Sequence, residues 1–163
     1  MSHPVRRRGT DAAVLVRWSL VALTVVGVVA TAFELATERH WNGAEQLIPW
    51  IALAVLTVAV ALLFVPRARG LPAARVLAVV VLGASAYGVL DHVLVNYGSG
   101  ALDRRYAESW DTLPAPQQWW LAVTKTVGPA PTLAPGVLGQ SALQLVLASI
   151  AWPRREDREP APR

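Results

Sequence analysis

The chain has 163 residues, enough for one domain, and 54% of them are apolar while 16% are charged. The charged share lies below the roughly 25% of an average soluble domain, and the mean hydropathy is +0.40. There is no cysteine, which excludes disulfides, thiolate metal sites, iron–sulfur clusters and thiol redox chemistry. The net charge of +4 is not gathered into a patch of interleaved basic and aromatic residues, so we expect no nucleic-acid partner.

Four long apolar runs follow one another along the chain, a distribution typical of a membrane protein rather than of a soluble core. The second run alone contains 21 uncharged residues, against about 20 that a helix needs to cross the hydrocarbon. The other three reach that length if a helical turn extends to the interface. The expected spans are 14–35, 46–66, 74–95 and 134–152. All four should be helical, because lipid offers no partner for unpaired backbone groups.

Basic residues set the direction of the spans. With the N-terminus inside, the inner segments hold 11 of the 15 lysines and arginines, and the inner face carries +7 against −3 outside. We therefore expect an all-α fold: a four-helix transmembrane bundle with both termini inside and a long outer loop carrying interfacial helical segments. Residues 1–153 would form a single transmembrane domain. Residues 154–163 would form a disordered cytoplasmic tail, because they are charged and rich in proline.

The first run allows one alternative, a signal peptide. A basic start precedes the apolar stretch, and Ala30-Thr31-Ala32 resembles a cleavage site. Cleavage there would leave three spans. The apolar stretch is longer than the roughly 7–15 residues of a signal sequence, so a retained first span is favoured.

The long outer loop covers residues 96–130 and is rich in tryptophan and proline. Apolar residues recur in it at helical spacing, at Leu102, Tyr106, Trp110 and Leu113. This spacing predicts an amphipathic helix at the outer interface, and Trp119 and Trp120 suit the headgroup region. The stretch "GPAPTLAPG" at 128–136 cannot form a regular helix and should return the chain to the fourth span. The loop is either a surface anchor or a lid over a pocket.

Polar and small residues recur on one face of the first, third and fourth helices. The first carries Arg17, Thr24, Gly27, Thr31, Glu34 and Glu38; the third carries Ser85, Gly88, His92 and Asn96; the fourth carries Gly136, Gln140 and Gln144. Stripes of this kind pack helices together in lipid, so we expect these faces to point inward. The second helix has only Thr57 in its interior and is expected to be the most lipid-exposed.

Ionisable residues gather at one level, where the spans reach the outer face. They are Glu34, Glu45, Asp91 and His92, with His40 and Asn96 as neighbours. In one interpretation they only mark where helices meet water. In the other, Glu34, Glu45, Asp91 and His92 bind a proton or a cation, with a divalent metal as the candidate cofactor, since carboxylates and imidazole suit zinc, manganese or iron. No metal-binding spacing such as His-Glu-x-x-His accompanies them.

Four stretches resemble a group of small four-span bacterial integral membrane proteins to which no function is assigned. They are "FELATERHW" at 33–41, "EQLIPW" at 45–50, "GVLDHVLVNY" at 88–97 and "APTLAPGVLG" at 130–139. The positions that match the group are Glu34, Gln46 with Pro49, Asp91–His92 with Asn96, and Pro131 to Gly136. Asp91 stands where the group more often has glutamate. The resemblance implies four spans and no particular reaction.

These patterns favour an integral membrane protein of a bacterial inner membrane, with the lipid bilayer as its partner. The leading expectation is a non-catalytic structural or accessory module that assembles with itself or within a larger membrane complex. The alternative is a cation-, metal- or proton-binding protein with its site on the outer face. A third interpretation is a small enzyme or a lipid-handling protein with a pocket roofed by residues 101–125.

Overall fold

The computed structural model describes residues 5–65 and 67–150, and within these ranges the chain forms five α-helices and no strand. They are α1 (Val5–Thr37), α2 (Ile48–Leu62), α3 (Arg67–Ser99), α4 (Ala115–Val123) and α5 (Ala134–Ile150). The all-α prediction is confirmed for this part of the chain. Three segments are long and apolar enough to cross a membrane, namely Asp11–Thr37, Glu45–Leu62 and Arg69–Leu102. α5 is apolar but shorter, with 17 residues.

α2 and α5 begin within two residues of the predicted spans, whereas α1 and α3 extend beyond theirs. Pro49 lies in the first turn of α2 and Pro135 in the first turn of α5, where a missing backbone N–H costs no helical hydrogen bond. α1 runs unbroken through Ala30-Thr31-Ala32 to its end. The tail predicted at 154–163 and the last residues of the fourth span lie outside the described residues.

Neighbouring helices run antiparallel, which gives the bundle two chemically different ends. The Trp18 and Phe64 ring centroids lie 5.9 Å apart and join the start of α1 to the end of α2. Near the start of α3, Arg75 donates from Nε to Ser149 Oγ at 2.9 Å and from its guanidinium to the Ser149 carbonyl at 2.6 Å, near the end of α5. We call this the basic end, after Arg17, Arg69 and Arg75. The opposite, acidic end carries Glu34, Glu38, Glu45 and Asp91.

α5 occupies the centre of the bundle and packs against both α1 and α3. Thr24 of α1 is fully buried, and its hydroxyl donates to the Leu20 carbonyl of its own helix at 2.9 Å. The Ser141 carbonyl of α5 lies 3.3 Å from the same hydroxyl, and Gly27 packs directly on the Ser141 side chain. Arg17 and Thr24 of the predicted polar stripe are therefore buried. The inward orientation of this face is confirmed as far as Thr31, whereas Glu34 and Glu38 of the same stripe are exposed.

α2 is less lipid-exposed than its composition predicted. Leu56 is fully buried in the core, with Leu53 and Ala59 beside it on the same face. In its 18-residue apolar window 22% of the residues are buried, against 17% in the corresponding window of α1. The prediction that α2 is the most lipid-exposed helix is therefore wrong. A search for polar stripes misses a face that packs through leucine and alanine alone.

The outer loop folds around a second apolar core instead of forming the predicted helix over 102–113. Short 3-10 turns at Gly100–Leu102 and Trp110–Thr112 replace that helix. Asp103 breaks the helical path with ψ of 123°, and its carboxylate accepts hydrogen bonds from the side chain and backbone N–H of Arg105. These bonds lower the pKa of Asp103 to about 2. Trp110 is still buried, so the spacing identified a core residue although it indicated the wrong secondary structure.

Candidate functional site

A cavity of about 600 Å³ opens at the acidic end, between α1, α2, α3 and the start of α5. Its wall contains Glu34, Glu45, Asp91 and His92, the four site residues predicted from the sequence. Glu34 and Glu45 are exposed, whereas Asp91 and His92 are half-buried. Residues from three separate segments of the sequence therefore line one cavity. The sequence analysis had placed them at one level of the predicted spans but had not identified a cavity.

The end of α1 and the loop after it bring further polar groups to the same cavity. Glu38 follows Glu34 by one helical turn and also lines the wall, as does His40. The His40 carbonyl accepts a hydrogen bond from the indole N–H of Trp50 at 2.7 Å, which fixes the loop to α2. This bond holds the loop that carries Glu45 beside the end of α1.

The imidazole of His92 is oriented by the segment that returns the chain to α5. Its Nδ1 lies 2.9 Å from the carbonyl oxygen of Pro131. A carbonyl oxygen can only accept, so Nδ1 carries the hydrogen and donates it. In the neutral imidazole, Nε2 is then the nitrogen that can accept a hydrogen bond from a ligand. The contact therefore fixes the orientation of the ring. His92 follows Asp91 in the sequence, and both residues line the cavity.

The deeper wall of the cavity is mostly apolar but contains one unusual hydroxyl. Thr31 is 6% exposed, and its Oγ1 has no hydrogen-bond partner among the described residues. By contrast, Thr24 and Thr57 each donate to the carbonyl four residues earlier in their own helix. The hydroxyl of Ser85, on the same cavity, donates to the Pro135 carbonyl at 2.6 Å. Thr31 therefore offers a buried polar group that a ligand in the cavity could satisfy.

Sequence reasoning missed Lys125, which also lines the cavity. It lies directly after the end of α4, with its backbone in the left-handed region at φ 55°. The sequence offered one indication of Lys125: it is the only basic residue between positions 106 and 153. The wall therefore combines four carboxylates with one ammonium group. This composition attracts cationic ligands.

The predicted metal site does not have metal-binding geometry. The part of the chain that the structure describes contains no group of three or more histidine, cysteine, aspartate or glutamate side chains arranged to hold a metal ion. Ligand atoms lie about 2.0–2.6 Å from a bound divalent metal, whereas Glu34, Glu45, Asp91 and His92 are spread around a cavity of about 600 Å³. In these positions they do not fit a single divalent metal, and the metal site stays a prediction.

Asn96, predicted as a neighbour of the site, holds the outer loop in place. It is fully buried, and its amide nitrogen donates to the carbonyls of Ala122 and Ala130 and to the hydroxyl of Thr132, at 3.2, 2.9 and 3.2 Å. Its amide oxygen accepts the backbone N–H of Ala130 at 2.9 Å. Asn96 thereby links α3 to the end of α4 and to the segment before α5. It positions the 129–131 wall of the cavity without lining it.

The outer loop contributes less to the cavity than a lid over 101–125 would require. Of those residues, Lys125 is the one that lines the cavity within the described chain. The wall on that side is formed instead by residues 129–131. Trp119 and Trp120 of α4 remain exposed on the outside of the loop. This position fits the interfacial location expected of them from the sequence.

No family model, curated protein or solved structure matches this chain. The resemblance to small four-span bacterial membrane proteins therefore stays a prediction. The function of the chain has to be argued from the cavity and its surroundings.

Proposed function

We propose that this chain is a membrane protein that binds a small organic cation in the cavity at its acidic end. The main observation in support is that four carboxylates line one cavity of about 600 Å³, namely Glu34, Glu38, Glu45 and Asp91. That volume lies within the roughly 300–1,000 Å³ of small-molecule sites and is far larger than one metal ion needs. Four carboxylates opposite a single lysine favour a positively charged ligand, and a low-dielectric surrounding strengthens that preference.

The apolar part of the wall supports an organic ligand rather than a bare ion. Leu35, Ile48, Ala52 and Leu138 line the cavity together with the carboxylates. An ammonium group at the mouth would contact the carboxylates, while a short carbon chain would contact these side chains. The unpartnered hydroxyl of Thr31 gives such a ligand one further hydrogen-bonding group at depth.

We expect ethanolamine and n-hexylamine to bind the detergent-purified protein, and Glu34→Gln or Asp91→Asn to weaken each at least tenfold. Each substitution keeps the side-chain shape and removes one negative charge from the wall. Isothermal titration calorimetry with ethanolamine, n-hexylamine, Mg²⁺ and Mn²⁺ measures both the affinity and the choice between organic and inorganic cations.

Glu108→Gln is the matched control, because Glu108 is an exposed acid on the outer loop but is not part of the cavity wall. It should bind both amines as the parent does. Equal weakening in all three variants would mean that general surface charge is responsible. Binding of neither amine by the parent would contradict the proposal. It would favour the accessory role, because α1 is buried at only 17% of the residues in its 18-residue apolar window and so leaves surface for a partner.

For topology, we propose four spans in a bacterial inner membrane, with both termini inside and the cavity on the outer face. The basic end would then lie in the cytoplasm, as the distribution of arginine favours. α5 runs antiparallel to α3, from the acidic end to the basic end. Its 17 residues rise about 25 Å, close to the thickness of the hydrocarbon.

Introduced cysteines test this topology cleanly, because the chain has none of its own. We expect Gly43→Cys to react with a membrane-impermeant maleimide in intact cells, since open space surrounds its Cβ position in the outer hairpin. Arg69→Cys and Arg163→Cys should react only after the membrane is disrupted. Labelling of Arg163→Cys together with Gly43→Cys in intact cells would mean that α5 does not cross.

A further inference from the structure

α1 and α4 end in the same hydrogen-bonded turn. At the end of α1, His40 N–H donates to the Leu35 carbonyl at 2.9 Å and Arg39 N–H donates to the Ala36 carbonyl at 3.2 Å. Arg39 occupies the left-handed position of this turn, with φ of 51°. This is the Schellman arrangement, in which glycine is the usual residue at that position.

At the end of α4, the corresponding donors are Thr126 and Lys125. Thr126 N–H donates to the Leu121 carbonyl at 2.9 Å, and Lys125 N–H donates to the Ala122 carbonyl at 3.2 Å. Lys125 takes the left-handed position, with φ of 55°. Glycine would occupy either position without the steric cost of a Cβ. A cation near the last carbonyls of a helix gains some stabilisation from the helix dipole, and this gain is common to Arg39 and Lys125.

The two residues differ in what their side chains face. Lys125 lines the cavity, whereas Arg39 is not part of its wall. Within the described ranges the one ion pair joins Asp103 to Arg105, so the Lys125 ammonium has no carboxylate within 4.0 Å. A strained position therefore carries an unpaired cation to a cavity that is otherwise acidic. Arg39 has the same backbone conformation outside the wall, so the feature specific to Lys125 is its place in the cavity beside the carboxylates.

We propose that Lys125 binds an anionic group of the ligand whose cation contacts the carboxylates, so that the ligand is a zwitterion. This inference rests on the proposed function and adds the second charge of the ligand. A ligand with only an ammonium group is repelled by Lys125, and one with only an anion is repelled by Glu34, Glu38, Glu45 and Asp91. An ammonium and a phosphate a few ångströms apart satisfy both parts of the wall. That chemistry occurs in free phosphoethanolamine and in the headgroup of phosphatidylethanolamine.

The test is titration calorimetry of the full chain in detergent with O-phosphoethanolamine, ethanolamine and inorganic phosphate. We expect the parent to bind O-phosphoethanolamine at least tenfold more tightly than ethanolamine and to bind phosphate weakest. Lys125→Gly should lose this preference while ethanolamine binds as before or more tightly. Its melting temperature should stay level or rise by roughly 2–4 °C, because glycine suits the left-handed position.

Arg39→Gly is the matched control, since it changes the same position of the same turn outside the cavity wall. It should show a similar change in melting temperature and no change in affinity for any of the three probes. A stable Lys125→Gly variant that keeps the tenfold preference would overturn the inference. So would a parent that binds ethanolamine as tightly as O-phosphoethanolamine, although the proposed cation site would then stand. Binding of neither amine would overturn both.

The source of the zwitterion is identified by repeating the titration in vesicles. If the ligand is a lipid headgroup, phosphatidylethanolamine vesicles should weaken the apparent affinity for free O-phosphoethanolamine relative to phosphatidylglycerol vesicles. If it is a free solute, the affinity should be the same in both. Either result supports the role of Lys125, provided that Lys125→Gly removes the preference in the same vesicles.

Discussion

Replacing Asn96 with aspartate is expected to lower the free energy of unfolding by about 3–5 kcal/mol. The aspartate has nearly the same shape but no amide hydrogens. The carbonyl of Ala130 would lose its side-chain donor, the carbonyl of Ala122 would keep only its other donors such as Lys125 N–H, and both would face a buried negative charge. The backbone N–H of Ala130 keeps its acceptor, so the expected loss comes from the missing amide hydrogens and the buried charge together.

Thermal unfolding followed by tryptophan fluorescence measures this effect, since the chain has 7 tryptophans and Trp110 lies in the core beside this contact. A loss of this size corresponds to a drop of roughly 6–20 °C for a chain of this length. Asn42→Asp is the control, because Asn42 is an exposed amide in the outer hairpin. Its free energy of unfolding should change by no more than the roughly 0.5 kcal/mol typical of surface substitutions. Equal stability of the two variants would show that the buried amide does not hold the loop.

The role of Asn96 shows where the sequence was informative and where it was ambiguous. The sequence predicted Asn96 at the outer end of the third span, near an acid and a histidine, and in the structure it lies near the end of α3. From spacing alone, a polar residue near a site and a polar residue that anchors a loop are indistinguishable. The distinction depends on the partners Ala122, Ala130 and Thr132, which lie 26 to 36 residues away in sequence.

The four predicted site residues were identifiable because apolar spans make every ionisable residue conspicuous. Hydrophobic run lengths fixed the depth of Glu34, Glu45, Asp91 and His92. The cavity itself was not predictable, since it depends on how far apart the helices lie at the acidic end. Lys125 was missed for a related reason: a residue in an irregular loop has no periodicity that relates it to a helix face.

The packing face of α5 was also not predictable from sequence spacing. Sequence spacing placed Gly136, Gln140 and Gln144 on an inward face. In the structure Gly136 and Gln144 are only half-buried and Gln140 is exposed, while Gly139 and Ser141 are buried. The packing face of α5 is thus rotated from the predicted one. Small residues, rather than amides, determine how closely α5 approaches α1 and α3.

Gly139→Leu is therefore expected to lower the free energy of unfolding by about 3 kcal/mol or more. A Cβ added to Gly139 would lie 2.5 Å from the Ser85 hydroxyl and 3.1 Å from its Cβ, so a leucine must push α3 and α5 apart. The same movement would disturb Ser85 and Leu138 on the cavity wall, so amine binding should be lost as well. Melting temperature and calorimetric titration with ethanolamine measure the two effects.

Gly136→Leu is the matched control, one turn earlier on the same helix, where nothing lies within 4 Å of the added Cβ. Leucine is favoured over glycine in a helix by up to about 1 kcal/mol, so this variant should be as stable as the parent or slightly more stable. The two glycines carry the same substitution on the same helix and are expected to change stability in opposite directions. If Gly139→Leu had the same melting temperature as Gly136→Leu and still bound ethanolamine, α3 and α5 would not pack through Gly139. The close approach of these two helices would then not be what shapes the floor of the cavity.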